Sequence, residues 1–153
     1  MNPRCFKLLV SMRQEQTRVF PARYESLTAI DQFIVDAAER AGFANCTVYQ
    51  VQLAVDEACS NIIEHAYGGE DRGIIECTHR IQGGDLTIVL RDYGQPFDPA
   101  AVPEPNINAD LEERAEGGLG LYLIYQIMDE VTFDFDSQAG NVLTLVKRKE
   151  DIC

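Results

Sequence analysis

The sequence is short of positive charge. Its 13 Lys and Arg stand against 25 Asp and Glu, a formal net charge of −12. A direct nucleic-acid partner needs a basic footprint to meet the phosphate backbone, so that class is set aside. No stretch approaches the roughly 20 apolar residues of a membrane span. The first apolar stretch, Cys5–Val10, is broken by Lys7 and is too short for a secretory signal. The expected location is therefore cytoplasmic, with no membrane contact. No CxxC pair occurs among the five cysteines; their scattered positions read as free, mostly buried thiols rather than a metal site or disulfide framework. Internal repeats and low-complexity tracts are absent as well.

What remains is a chain of 153 residues, 46% hydrophobic, enough for one domain and one core. Residues 1–16 read as an N-terminal extension or extra strand, and residues 17–150 as the folded domain. Thr17–Pro21 is strand-like, closed by Pro21. Leu27, Ile30, Ile34, Ala37 and Ala41 recur at helical spacing, and Gly42 follows as a cap. A second helix is expected from about Cys46 to Ala66, with Val48, Val51, Val55, Ala58, Ile62 and Ala66 as its buried stripe and Gly68-Gly69 as its stop. Gly73–Gln82 and Asp85–Arg91 read as a hairpin joined by Gly83-Gly84. Gly94–Glu116, rich in proline and acid, is too long for an ordinary connection and reads as a functional lid. A third helix, about Leu119–Asp129, and a last hairpin, Val131–Asp136 with Asn141–Arg148, complete the chain. This order predicts an α/β sandwich of two layers, with helices on one face of a mixed, mostly antiparallel sheet.

Three local patterns carry chemistry. Glu57, Asn61 and His65 are four apart, so they form one row on the second helix. Leu53, Ala54, Ala58 and Ile63 surround that row, where a solvated face would be rich in Lys and Glu. A carboxylate and an amide oxygen one turn apart suit a general base and an oxygen ligand for Mg²⁺; alone, the row also fits a solvated face. His65 would serve equally well as a charge near the helix C-terminus.

The second pattern is Asp92. It continues the parity of Leu86, Ile88 and Leu90, and so points toward the core. A carboxylate there needs a donor, such as the exocyclic amine of adenine. Gly94 would let the backbone approach a flat ring. The Asp-Tyr-Gly sequence is also turn chemistry. The third pattern, Glu116-Gly117-Gly118-Leu119-Gly120-Leu121, opens a helix, where free N–H groups favour phosphate. It lacks the Gly-Lys-Ser/Thr of a Walker loop and the strand that precedes a dinucleotide fingerprint; a lid hinge would also use such glycines.

Taken in order, these patterns resemble the GHKL ATPases. Glu57-x-x-x-Asn61-x-x-x-His65-x-Tyr67 is similar to the N-box. Asp92-x-Gly94-x-Pro96-Phe97 is similar to the first glycine box, and Gly117-Gly118-Leu119-Gly120-Leu121 to the second. The match covers about 130 residues, nearly the whole chain. Within the class the chain looks most like the stand-alone anti-sigma-factor serine-protein kinases, since it carries neither a phospho-accepting histidine domain nor a transducer domain.

The resemblance implies a Bergerat-type ATP-binding fold with an ATP lid. It implies that Asn61 ligates Mg²⁺, that Glu57 takes the proton of an attacking hydroxyl and that Asp92 accepts from the adenine amine. Gly94 would line the base pocket, while Gly117, Gly118, Leu119 and Gly120 would lead the phosphates to the third helix. The implied partners are an anti-sigma-factor antagonist, a sigma factor and a second copy of the chain in a homodimer. Two positions depart from the family pattern. Glu116 stands where a basic residue is common, with Arg114 nearby. Asn141 and Val142 replace the small hydroxyl residues of the last hairpin, and Thr144, which shares Val142's parity, is the expected polar contact to the base. A nucleotide-gated binding module with little catalysis, or a purely structural interaction domain, are the alternatives to a kinase.

Overall fold

The computed structural model describes residues 14–96, 98, 100, 118–136 and 138–149. Phe97, Arg114, Glu116, Gly117 and most of the expected lid lie outside them. So do Cys5, Cys153 and the N-terminal extension up to residue 13.

Strand β1 (Gln14–Pro21) begins earlier than the sequence pattern indicated. A short 3₁₀ turn (Tyr24–Ser26) leads into helix α1 (Leu27–Ala41), and α2 (Asn45–Asn61) follows. Strands β2 (Ile74–Gln82) and β3 (Asp85–Asp92) form the first hairpin, helix α3 spans Gly118–Ile127, and β4 (Glu130–Asp136) and β5 (Gly140–Lys147) form the second. The strands make one sheet in the order β1-β2-β3-β5-β4. Every pairing is antiparallel, so the sheet of the described residues is uniform rather than mixed. The β2–β3 turn is made by Gly83 and Gly84, with φ of 62° and 88°. Both values suit the tight turn that matches strand twist, and L side chains rarely adopt them.

Period-two alternation sends Ile75 and Cys77 of β2, Leu86, Ile88 and Leu90 of β3, and Leu143 and Leu145 of β5 to the same side. Against them α1 sets Ile30, Phe33, Ile34, Ala37 and Ala38, and α2 sets Val48, Val51, Ala54, Val55 and Ala58. Each fully buried Ile, Leu or Val contributes about 1.5–3 kcal/mol, which makes this layer contact the main source of stability. Helix α2 packs against both α1 and α3. That central place explains why its polar row is so little like a solvent face: α3 covers part of it.

Some polar groups share this core. His79 on β2 is fully buried with its ring 4.4 Å from that of Phe33. Burial pushes its pKa down, which keeps the imidazole neutral. Cys59 and Cys77 are buried free thiols, and burial pushes Cys77 up to about 12. Cys46 differs from the expectation of free cysteines: it stands exposed at the start of α2 and is disulfide-bonded.

The second helix changes character at its end. Ile62–Ala66 forms a π-helical turn, in which the Tyr67 N–H reaches back to the Ile62 carbonyl at 3.0 Å. The Ala66 carbonyl, one of those a helix end leaves without an intrahelical donor, accepts the Gln95 N–H at 2.8 Å. Such single π turns recur at functional sites, and here it joins the end of α2 to the loop after β3.

Candidate functional site

A pocket opens between α2, α3 and the strand ends of β3, β4 and β5. Its apolar walls are Ala58, Ile62 and Ala66 of the second helix, Ile124 of α3, and Phe133, Phe135, Val142 and Leu143 of the last hairpin. Its polar groups are Asn61, Asp92 and Asn141. Few polar groups in a concave apolar setting fit a small flat ligand recognised at one edge.

Asp92 ends β3 with 5% of its surface exposed. The parity of Leu86, Ile88 and Leu90 carries it inward, as the sequence indicated. Burial pushes its pKa up, while hydrogen bonds from Asn141 and the Gly94 N–H pull it back. Both donors use the same oxygen: Asn141 Nδ2 is 2.8 Å and the Gly94 N–H 2.9 Å from Oδ1. Oδ2 takes part in neither bond.

The loop after Asp92 is fixed by close packing. A β-carbon on Gly94 would collide with the backbone carbonyl and side chain of Ala66. Glycine is therefore required, but the close approach it makes in the structure is to the end of the second helix. Tyr67 fastens the same region: its hydroxyl donates to the Ile74 carbonyl at 2.7 Å and accepts the Tyr93 N–H at 2.9 Å.

Asn61 lines the pocket from the end of α2. Glu57, one turn earlier and half-buried, lies beneath the start of α3. A β-carbon on Gly120 would come 2.6 Å from Glu57 Oε2. Two of the three sequence patterns thus meet directly, although Glu57 and Gly120 are far apart in the chain. Gly118, Leu119 and Gly120 form the first turn of α3, whose early N–H groups have no partner within the helix. Among the described residues, no group of three or more His, Cys, Asp or Glu could hold a metal ion. An ion here would rest on nucleotide phosphates, water and a single protein oxygen such as that of Asn61, a donor set that suits Mg²⁺.

The structure does not bring Thr144 to the pocket. It alternates with Asn141, Leu143 and Leu145 and stands on the other face of the sheet, in one register row with Thr17, Thr78, Val89 and Thr132. Asn141 takes the polar place instead, 8% exposed and bonded to Asp92. The signal was available: Leu143 and Leu145 are core residues, and Asn141 shares their parity. His65 is exposed, with its Nε2 4.0 Å from Glu64, and is not among the residues that line this pocket.

Comparisons with known proteins agree with this fold. A family model described as "Histidine kinase-like ATPase domain" matches residues 20–147. A serine-protein kinase RsbW from Bacillus cereus (strain B4264) is 33% identical over 136 residues, covering 86% of this chain and 84% of its own. A protein of the same name from Bacillus anthracis (strain CDC 684 / NRRL 3495) is 32% identical over the same extent. The solved structure of the RsbU and RsbW domains of a Mycobacterium tuberculosis protein superposes with a TM-score of 0.62 at 16% identity, over 88% of this chain. The chain spans 32% of that longer protein, and the likeness is one of fold. Among the described residues, no helix is long and apolar enough to cross a membrane.

Proposed function

The chain belongs to the histidine kinase-like ATPase family, and on that premise we propose that it is an ATP-dependent serine/threonine-protein kinase of the anti-sigma-factor type. Its substrate would be a serine or threonine of a small anti-sigma-factor antagonist, in a cytoplasmic partner-switching system that controls transcription through a sigma factor. One observation carries the reading: Asn61 from a helix and Asp92 from a strand line one pocket. Glu57 supports it, one turn from Asn61 and against the glycine-rich start of α3.

Each group has a task that follows from its place. Asp92 accepts a hydrogen bond from the exocyclic amine of adenine, which relieves the cost of burying a carboxylate. Ala58, Ile62, Ile124 and Leu143 hold the ring by apolar contact and exclude water. The free N–H groups at the start of α3 favour phosphate oxygens. Asn61 would hold Mg²⁺ through its side-chain oxygen, and the ion supplies neutralisation of phosphate charge when bound. Glu57 takes the proton of the attacking hydroxyl as its oxygen bonds to the γ-phosphorus. The bond from that phosphorus to the β–γ bridging oxygen breaks, and ADP leaves. Phosphoryl transfer asks mainly for positioning and charge stabilisation, which this arrangement offers.

The reading also includes a homodimer. The sheet face away from the helices carries Thr17, Thr78, Val89, Thr144 and Thr132 in one uncharged row across all five strands. We place self-association there, and Thr78→Arg should shift sedimentation from dimer to monomer. For the kinase itself the test is transfer of labelled γ-phosphate to candidate antagonists by wild type, Asp92→Asn and Glu57→Gln. Loss in both variants, with nucleotide binding kept only in Glu57→Gln, is the expected pattern. Undiminished transfer by Glu57→Gln would remove Glu57 as the base.

A further inference from the structure

Asn141 stands directly opposite Asp92 in the β3–β5 register. Its Nδ2 lies 2.8 Å from Asp92 Oδ1, 3.1 Å from the Gly94 carbonyl oxygen and 3.2 Å from that of Gln95. All three neighbours are acceptors, so chemistry decides how the amide is turned: the NH₂ group faces them and the oxygen faces away. One hydrogen serves the carboxylate, and the other is shared by the two carbonyls. A hydroxyl, with a single hydrogen, could serve only one side of this arrangement.

Two consequences follow. Asp92 Oδ1 already accepts the Gly94 N–H, so with Asn141 it holds two donors and the carboxylate plane is set. The loop leaving β3 is likewise tied to β5, while its Gln95 N–H is bound to Ala66 at the end of the second helix. The β3–β5 ladder holds the two strands together up to this pair, and their backbones come close at its end: a β-carbon on Gly140 would lie 2.5 Å from the Asp92 carbonyl oxygen.

We propose that Asn141 is a positioning residue that sets base selectivity, its amide fixing Asp92 so that one carboxylate oxygen, Oδ2, reads an exocyclic amine. The inference rests on the nucleotide reading above and deepens it. A base with hydrogen in place of the amine leaves Oδ2 unpaired in a buried setting. A base with a carbonyl there sets oxygen against oxygen with no proton between them.

The test is calorimetric titration of ATP and of purine riboside triphosphate, which lacks the 6-amine, into wild type, Asn141→Ala and Asn141→Thr. Wild type should prefer ATP by about tenfold or more, the worth of one hydrogen bond to a charged group. Asn141→Ala should bring that preference below about threefold, chiefly by weakening ATP. Asn141→Thr, which keeps one donor, should fall between the two. A purely structural role would weaken both nucleotides in proportion; an unchanged ratio in Asn141→Ala therefore overturns the proposal. If that variant does not fold, Asn141→Thr decides: a reduced ratio supports the proposal and an unchanged one overturns it. Wild type binding both nucleotides equally would overturn the selectivity inference and leave the nucleotide site standing. Wild type binding neither would overturn the nucleotide reading, and the inference with it.

Discussion

Gly120 at the start of α3 faces Glu57 of α2 so closely that a β-carbon there would lie 2.6 Å from Glu57 Oε2. The contact atom is the end of a flexible side chain, so Gly120→Ala should fold, with Glu57 turned aside. A displacement of this kind acts on chemistry more than on binding. Phosphotransfer should fall by about tenfold to a hundredfold, the scale of an ångström-sized misplacement. ATP affinity, measured calorimetrically on the same variant, should change much less than the rate.

Glu57→Gln separates the two roles more sharply. The amide keeps the size of the side chain and cannot take the proton. Transfer in single-turnover assays should drop by about 10²–10⁴, the usual worth of a positioned base. Nucleotide affinity should stay close to that of wild type.

Gly94→Ala should act on the fold. The new methyl group would collide with Ala66 backbone, which cannot swing away as a side-chain tip can. Overpacking of this kind costs about 1–3 kcal/mol, and the melting temperature should fall by roughly 3–10 °C. ATP binding should weaken as well, because the same loop donates to Asp92.

A carboxyl pair, Asp31 and Asp56, gives a pH signature away from the pocket. Asp31 of α1 and Asp56 of α2 each bury an Oδ1 that no N–H donor of the described residues reaches, so the two carboxyls bond to each other only when one carries a proton; Gln52 donates to Asp31 Oδ2 at 3.2 Å. Asp56 is pushed up to about 7 by burial, by a hydrogen bond to Asp31, and by the charges of Asp31 and Glu57. Its ordinary value is 3.8, so the folded chain holds this proton more tightly than the unfolded one. The resulting stability is complete below 3.8 and is lost as pH rises through about 7. Thermal melts should therefore give a lower Tm at about pH 8 than at about pH 6, and Asp56→Asn should reduce that difference.

Much of the site was legible because it is written in local periodicity. The parity of Leu86, Ile88 and Leu90 carried Asp92 inward, and it is buried. The four-residue spacing of Glu57 and Asn61 put both on one row, and Asn61 lines the pocket. The stripe from Val48 to Ala66 is buried throughout. What escaped was set by tertiary pairing. The Asn141–Asp92 bond depends on β5 lying beside β3, which no local pattern states. Thr144 was assigned by parity with Val142, whereas the polar group at the pocket floor has the parity of Leu143. The π turn at Ile62–Ala66 continues an ordinary helical stripe, and the bond from Gln95 to its last carbonyl joins it to a loop distant in the chain.

The proposed ATP site, which would serve transfer to a protein hydroxyl, depends most on Asp92 at the pocket floor. The decisive experiment is calorimetric titration of ATP into wild type and Asp92→Asn, with and without Mg²⁺. Wild type should bind with micromolar, Mg²⁺-dependent affinity, and Asp92→Asn should not bind. Absence of binding to wild type at millimolar ATP, or equal binding by both proteins, would contradict the proposed site.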